Sequence, residues 1–221
     1  MATSGTTTFR LDVEEIITES YERGGVDAQL LTGYQARSAR RSLNLLFSEW
    51  SVRGINLWTL DKVSQALVAG TITYTLPEGT IDALEPALKR SGVDTELMRI
   101  SLSEYQALPD KTVQGLASSY FIDRQYTPIL YLWPVPENST DTFEYWALRQ
   151  MEDITASGQD ADVPYRWTEA MCAGLASKLY MKRKDMDPNR AAIMDAKAED
   201  QFKKAEMEER DKADLQIVIG T

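Results

Sequence analysis

The sequence predicts an α+β protein: an antiparallel helical bundle of four main helices, a β-rich insertion lobe, and an extended C-terminal tail. Near both ends of the chain, apolar residues recur at helical spacing, as Leu43, Leu46 and Trp50 do. In the middle, apolar and polar residues alternate, as in "GTITYTLP" (70–77), which is the period of a strand. The last stretch, "LQIVIGT" (215–221), is strongly apolar, and such a segment usually pairs with a partner.

Two helices are predicted first. Residues 11–23 carry apolar side chains on one face and carboxylates on much of the rest, and Gly24-Gly25 ends this helix. The second helix is expected over about 27–53, from an N-cap at Asp27 to Gly54.

The β lobe follows. Gly70 between two strand-like runs in 57–77 predicts a hairpin turn. Because Pro86 interrupts residues 80–92, this stretch is expected to form short turns or a helix that starts near Pro86. The aromatic-rich stretch beyond it predicts a three-strand meander. Its strands are expected at 118–123, 128–133 and 141–149.

Two further helices complete the bundle. Pro164 precedes a third helix over 165–183, and Asp187-Pro188 supplies the N-cap and first residue of a fourth, about 188–212. The expected domains are a helical bundle (1–54 and 151–211), a β-rich lobe (55–150) and a docking tail (212–221).

Composition limits the function. The chain has 221 residues and a net charge of −10. This charge argues against a protein that binds nucleic acid through net electrostatic attraction. It has no histidine and one cysteine, so Ser-His-Asp and Cys-His catalysis and most zinc sites are excluded. No signal peptide or membrane-spanning run is recognised, which fits a protein made in the cytosol. We therefore expect no enzyme, no cofactor and no metal.

Three arginines form a candidate charged face. Arg37, Arg40 and Arg41 have the spacing that places them on one side of the second helix. They could contact DNA or an acidic partner, but pairing with the carboxylates of the first helix is the favoured interpretation.

The aromatic cluster in the β lobe is most simply the core of a sheet, because aromatic residues are common in strands. Its size suggests that part of it faces a neighbouring subunit or a tail component. The candidates for such contacts are Tyr131, Trp133, Tyr145 and Trp146.

Three stretches in this order resemble a known family. They are "ARRSLNLLFSEWSVRGINLW" (39–58), "LVAGTITYTLPEG" (67–79) and "ISLSEYQALPDKTVQGLASSYFIDRQYTPILYLWPVP" (100–136). The chain is similar, over about residues 10–215, to the head-to-tail adaptor proteins of tailed bacteriophages, of the tail tubular protein A type.

The resemblance implies a structural virion protein at the head-tail junction, assembled in the host cytoplasm. It implies a homo-oligomeric ring, typically of twelve copies, that joins the portal protein to the tail nozzle, a tail tubular protein B-like partner. It makes Leu215, Ile217, Val218 and Ile219 candidates for portal contact, and 57–149 the distal and intersubunit surface. DNA would pass through the ring's channel without sequence-specific binding.

Two alternatives stay open. The chain could be a carboxylate-based cell-wall hydrolase of the virion, which would need two facing acids. It could also be a cytosolic helical interaction module unrelated to any virus.

Overall fold

The structure is a computed structural model that describes residue 5, residues 9–54 and residues 57–209. The chain divides into two compact units: unit 1 is Met1–Trp58 with Met151–Thr221, and unit 2 is Thr59–Gln150. The described residues contain five α-helices and ten strands. The helices are α1 (Val13–Arg23), α2 (Gly33–Arg53), α3 (Leu102–Ala107), α4 (Thr168–Tyr180) and α5 (Pro188–Glu209).

The predicted architecture of a four-helix bundle is wrong, although the α+β class fits. Five helices combine with ten strands in antiparallel and mixed sheets, and α3 belongs to unit 2. In unit 1, α4 lies in the centre, with α1, α2 and α5 packed against it. Ten of the thirteen residues of α4 are buried, so this helix is enclosed on nearly all sides.

The first two helices begin at capping boxes. In α1, the carboxylate of Asp12 accepts from the backbone N–H of Glu15 at 2.8 Å, and Glu15 accepts in return from Asp12. In α2, Thr32 and Gln35 form the same arrangement. The predicted start of α2 at Asp27 is therefore wrong. A separate 3-10 turn, Ala28–Leu30, occupies that stretch because the stronger cap lies five residues later.

Aromatic rings join α2, α4 and α5 in the core of unit 1. The ring centroid of Trp167 lies 5.2 Å from that of Trp50 and 5.3 Å from that of Phe202. The ring centroid of Trp58 lies 5.0 Å from that of Trp167, and the indole N–H of Trp58 donates to the carbonyl of Asp162 at 3.0 Å. The cluster thus ties the irregular segment after residue 150 to the helices.

Unit 2 contains two four-stranded sheets. The first sheet is antiparallel with the order β1-β10-β3-β4, and the second is mixed with the order β2-β8-β7-β5. A parallel pair, β6 and β9, stands apart. The strands are β1 (Leu60–Ala66), β2 (Thr73–Thr75), β3 (Thr80–Arg90), β4 (Val93–Glu96), β5 (Met98–Arg99), β6 (Gln114–Gly115), β7 (Ser119–Asp123), β8 (Ile129–Trp133), β9 (Val135–Pro136) and β10 (Thr142–Arg149).

Three sequence predictions for unit 2 need correction. Gly70 does adopt a positive φ of 76°, but the strands on its two sides, β1 and β2, belong to different sheets and form no hairpin. Most of residues 80–92 form the long strand β3, Thr80–Arg90, rather than turns or a helix. Pro86 is tolerated there because β3 bulges at Glu85, whose φ is 46°, opposite β10. The meander is wrong at its third strand, since β10 leaves β7 and β8 and pairs with β1 and β3.

One apolar core fills unit 2 and receives side chains from both sheets. Tyr120 of β7 contacts Phe143 of β10, with ring centroids 6.2 Å apart. On its other face the second sheet is covered by α3, whose Tyr105 contacts the rings of Phe121 and Tyr131. A buried carboxylate adds an ionic contact between the sheets, because Asp82 of β3 accepts from Arg99 of β5 at 3.0 Å.

The packing of Phe202 predicts a large loss of stability for Phe202→Ala. Its ring is buried between Trp50 and Trp167, and the guanidinium of Arg53 lies 4.6 Å from its centroid. We expect the free energy of unfolding in urea to fall by about 3 kcal/mol. Met207→Ala, on the exposed side of the same helix, is the matched control and should change it by less than about 0.5 kcal/mol. Equal stabilities of the two variants would contradict this packing.

Burial of Tyr145 predicts a loss of stability at high pH. The side chain is 2% exposed, its hydroxyl has no partner among the described residues, and burial raises its pKa to about 12. An unfolded tyrosine titrates near pH 10, so between about pH 10 and 12 the unfolded state loses a proton that the folded state keeps. Stability should therefore fall as pH rises through this window.

The variant Tyr145→Phe removes the ionisable group and should flatten that part of the curve. It should also raise stability near neutral pH by about 1 kcal/mol, because no unpaired hydroxyl is then buried. Urea unfolding across the alkaline range measures both effects, with the exposed Tyr126→Phe as control. The burial of the hydroxyl would be refuted if both variants showed the same dependence on pH.

Candidate assembly surfaces

The side of α2 that points away from the core carries a mixed apolar and basic stripe. Tyr34, Leu45 and Val52 are 71%, 59% and 86% exposed, and Arg37 and Arg41 lie between them. Their spacing places all five on one side of the helix, opposite the buried Leu43, Leu46, Phe47 and Trp50. We call these five residues the outer stripe of α2.

The favoured interpretation of the three arginines is wrong. Arg40 donates to the backbone carbonyl of Thr155 at 2.8 Å, so it fixes the segment that follows residue 150. The side chains of Arg37 and Arg41 form neither an ion pair nor a hydrogen bond with any residue that the structure describes. On α1 itself, the carboxylate of Glu19 pairs with Arg23 at 2.7 Å.

A lysine adds positive charge beside the outer stripe. Lys182, just after α4, donates to the hydroxyl of Ser38 at 3.2 Å and also to that of Ser42. Burial, and then the nearby charges of Arg41 and Lys178, lower the pKa of Lys182. Arg41 therefore stands in a locally basic region of an acidic chain.

The exposed side of α1 has the opposite charge. A shallow depression on this helix is lined mostly by carboxylates: Leu11, Asp12, Glu14, Glu15, Thr18, Glu19 and Glu22. Asp12 and Glu15 are used in the capping box, and Glu19 is used by Arg23. Glu14 and Glu22 are exposed, and their carboxylates have no ion-pair or hydrogen-bond partner among the described residues. We call this surface the acidic face of α1.

In unit 2, the side of the first sheet that faces away from the core carries Trp146. This residue is 43% exposed, and its cross-strand neighbours are Lys62 of β1 and Leu84 of β3. Next to it, Glu144 bridges two lysines, at 3.1 Å from Lys62 and 3.2 Å from Lys89. The surface combines a large ring with a neutralised row of charges, as protein interfaces do.

The other three aromatic candidates lie elsewhere. Tyr145 points to the opposite side of β10 from Trp146 and is a core residue of unit 2. Tyr131 is half-buried beneath α3. Trp133 is also half-buried, and its indole N–H donates to the carbonyl of Asp110 at 3.1 Å. Of the four candidates, Trp146 is the one that presents an open ring.

The end of α5 is fixed by a buried carboxylate. Glu209 pairs with Arg166, and it accepts from the indole N–H of Trp167 at 3.3 Å. The last described residue of α5 is therefore anchored to the segment that precedes α4. The portal-contact candidates Leu215, Ile217, Val218 and Ile219 lie outside the described residues.

Chemically reactive groups are few in the described part of the chain. Cys172 is enclosed within α4, and burial raises the pKa of its thiol to about 11. Among the described residues, no group of three or more Asp, Glu, Cys or His side chains could hold a metal ion. No described helix has the length and apolar character needed to cross a bilayer.

Sequence reasoning found the arginines of the outer stripe but missed Tyr34, Leu45 and Val52. Their signal was present, because they occupy the positions opposite the predicted buried face of α2. The contacts of Glu209 with Arg166 and Trp167 could not be predicted from a local pattern. Glu209 lies 42 residues after Trp167, whose indole N–H it binds.

Comparison with known proteins gives one family. A family model described as SU10 adaptor protein matches residues 14–218, which is nearly the whole chain. No curated protein matches this chain. The family is one of phage head-to-tail adaptors, so the expected resemblance is confirmed at this level, and the chain is a structural component of a virion. The match covers both units together, and the chain therefore belongs to the SU10 adaptor protein family.

Proposed function

We propose that this adaptor assembles as a ring, of about twelve copies, between the portal protein and the tail nozzle, where it continues the DNA channel. The observation that carries the proposal is the family match over residues 14–218. An adaptor must bind two different partners, and a ring gives each weak contact the strength of many.

The surfaces described above suit such a role. Each lies on a helix or strand whose other side is packed into a core, so it is held rigidly before any partner binds. In this proposal, unit 1 forms the ring. The open face around Trp146 in unit 2 meets the nozzle or a neighbouring copy.

The tail is the proposed portal contact. Leu215, Ile217, Val218 and Ile219 are suited to strand addition, because they are strongly apolar and three of them are β-branched, which favours extended backbone.

DNA would pass the ring without being held. A subunit with a net charge of −10 repels phosphate overall, and a lumen of like charge would let DNA slide. In this proposal the protein makes no base-specific contact, and its effect on ejection is geometric.

Deletion of residues 212–221 tests the portal contact. Wild-type protein alone should be monomeric when dilute and weakly associated at high concentration. It should form a ring when mixed with purified portal, which electron microscopy can show directly. The deletion variant should keep the wild-type unfolding curve, because these residues lie beyond the packed end of α5, and it should lose portal binding.

A full-length variant with Ser at positions 215, 217, 218 and 219 is the matched control for chain length. It should also fail to bind. Portal binding that survives both changes would remove the tail from the proposal.

Replacement of Trp146 by Ala tests the face in unit 2. Because this ring is partly exposed and packs little core, the variant should unfold like wild type. Pull-down of the nozzle by adaptor-portal rings should weaken by about tenfold, as expected for loss of an aromatic anchor worth 1–2 kcal/mol. Tyr126→Ala, at another exposed ring of unit 2, should leave nozzle binding unchanged. Nozzle binding unaffected by Trp146→Ala would exclude this face as the platform.

A further inference from the structure

We infer that successive copies join head to tail, with the outer stripe of α2 of one copy seated on the acidic face of α1 of the next. This inference rests on the proposed ring and assigns the two faces that build it. Both faces belong to unit 1.

The first support is charge. Arg37 and Arg41 project from α2 without a counter-ion among the described residues, and Glu14 and Glu22 do the same from α1. Several other arginines of unit 1 are paired: Arg53, for example, bridges Glu49 at 2.5 Å and Glu199 at 2.6 Å. Two unpaired cations and two unpaired anions therefore remain on two surface helices, and a second copy would neutralise both sets at once.

The second support is composition. Arginine and tyrosine are enriched in protein interfaces, and the outer stripe combines them with apolar Leu45 and Val52. An apolar side chain gains from leaving water, whereas a solvated charged face would not need one. The depression on α1 offers Leu11 and Thr18 between its carboxylates, which gives the apolar residues a surface to cover.

The third support is that the two faces do not satisfy each other within one chain. No ion pair or hydrogen bond joins them among the described residues. α2 is held in place on two sides, by Arg40 on Thr155 and by Lys182 on Ser42, so the stripe is fixed. Different faces that bind each other between copies make a heterologous contact, and repetition of such a contact closes a ring when its rotation allows.

A second copy fits the stripe better than DNA does. Phosphate contacts come from dense, solvated cations, whereas this stripe has two arginines flanked by large apolar groups. The whole chain also carries ten negative charges in excess. DNA binding by the stripe is accordingly an outcome of the test below and not part of the inference.

Charge exchange between the faces provides the test. One variant carries Arg37→Glu and Arg41→Glu, a second carries Glu14→Arg and Glu22→Arg, and a third carries all four changes. Sedimentation velocity of the full chain at increasing concentration, up to the millimolar range, measures self-association. Each of the first two variants should weaken it by at least about tenfold, because like charges then face each other. The third should regain association, since its two faces are again complementary.

Mixing the first two variants should also restore association, because each supplies the face that the other needs. The control variant carries Lys203→Glu and Lys204→Glu, at exposed positions of α5. It makes the same change in net charge as the first variant and should leave self-association as in wild type. All variants should keep the wild-type circular dichroism and unfolding curve, since the altered side chains lie outside the core.

Three results would overturn the assignment. The first is wild-type protein that stays monomeric over the whole range. The second is failure of the four-change variant to regain association. The third is a ring that still forms on portal with Arg37→Glu and Arg41→Glu in place, which would leave the adaptor function standing while removing these faces. Loss of duplex DNA binding in the first and third variants, with association unchanged, would assign the stripe to DNA instead.

Discussion

The enclosure of α4 is the constraint on which unit 1 depends. Three other helices pack against it, so its surface must be apolar all round and its residues small where a neighbour comes close. Gly174 shows how tight this is, because a Cβ atom there would stand 3.0 Å from Cδ2 of Leu46. With α4 fixed, the inner sides of α1 and α2 are determined, and so are the sides that they turn outward.

The ion pairs divide into those that hold the units together and those that remain for contacts elsewhere. Asp141, which is buried, accepts from the guanidinium of Arg90 at 2.7 Å and secures the turn between β9 and β10. Glu209 secures the end of α5 in the same way. Removing one partner of such a buried pair leaves an uncompensated charge, which makes these anchors costly to break. The unpaired charges of the outer stripe of α2 and of the acidic face of α1 do not stabilise the fold in this way.

Much of the helical part could be predicted from the sequence, because caps and apolar spacing are local signals. The bounds of α1 and α5 follow from Asp12, Gly24 and the Asp187-Pro188 pair. The sheet pairing could not be predicted, since partners such as Leu60 and Leu148 are 88 residues apart and strand alternation does not specify a neighbour. The bulge at Glu85, which admits Pro86 into a long strand, likewise has no local signature. The arginines of α2 were found, but their freedom from counter-ions depends on how other helices pack.

The burial of Cys172 has a practical consequence. It is the chain's one cysteine, it is 1% exposed, and its thiol stays protonated near neutral pH because burial raises its pKa to about 11. A cysteine introduced at a chosen surface position would therefore be the one thiol that alkylating probes reach readily. The natural chain is already suited to spin labelling and fluorescence energy transfer without first being stripped of thiols. Distances between copies, and between this protein and its neighbours in the particle, are accessible by that route.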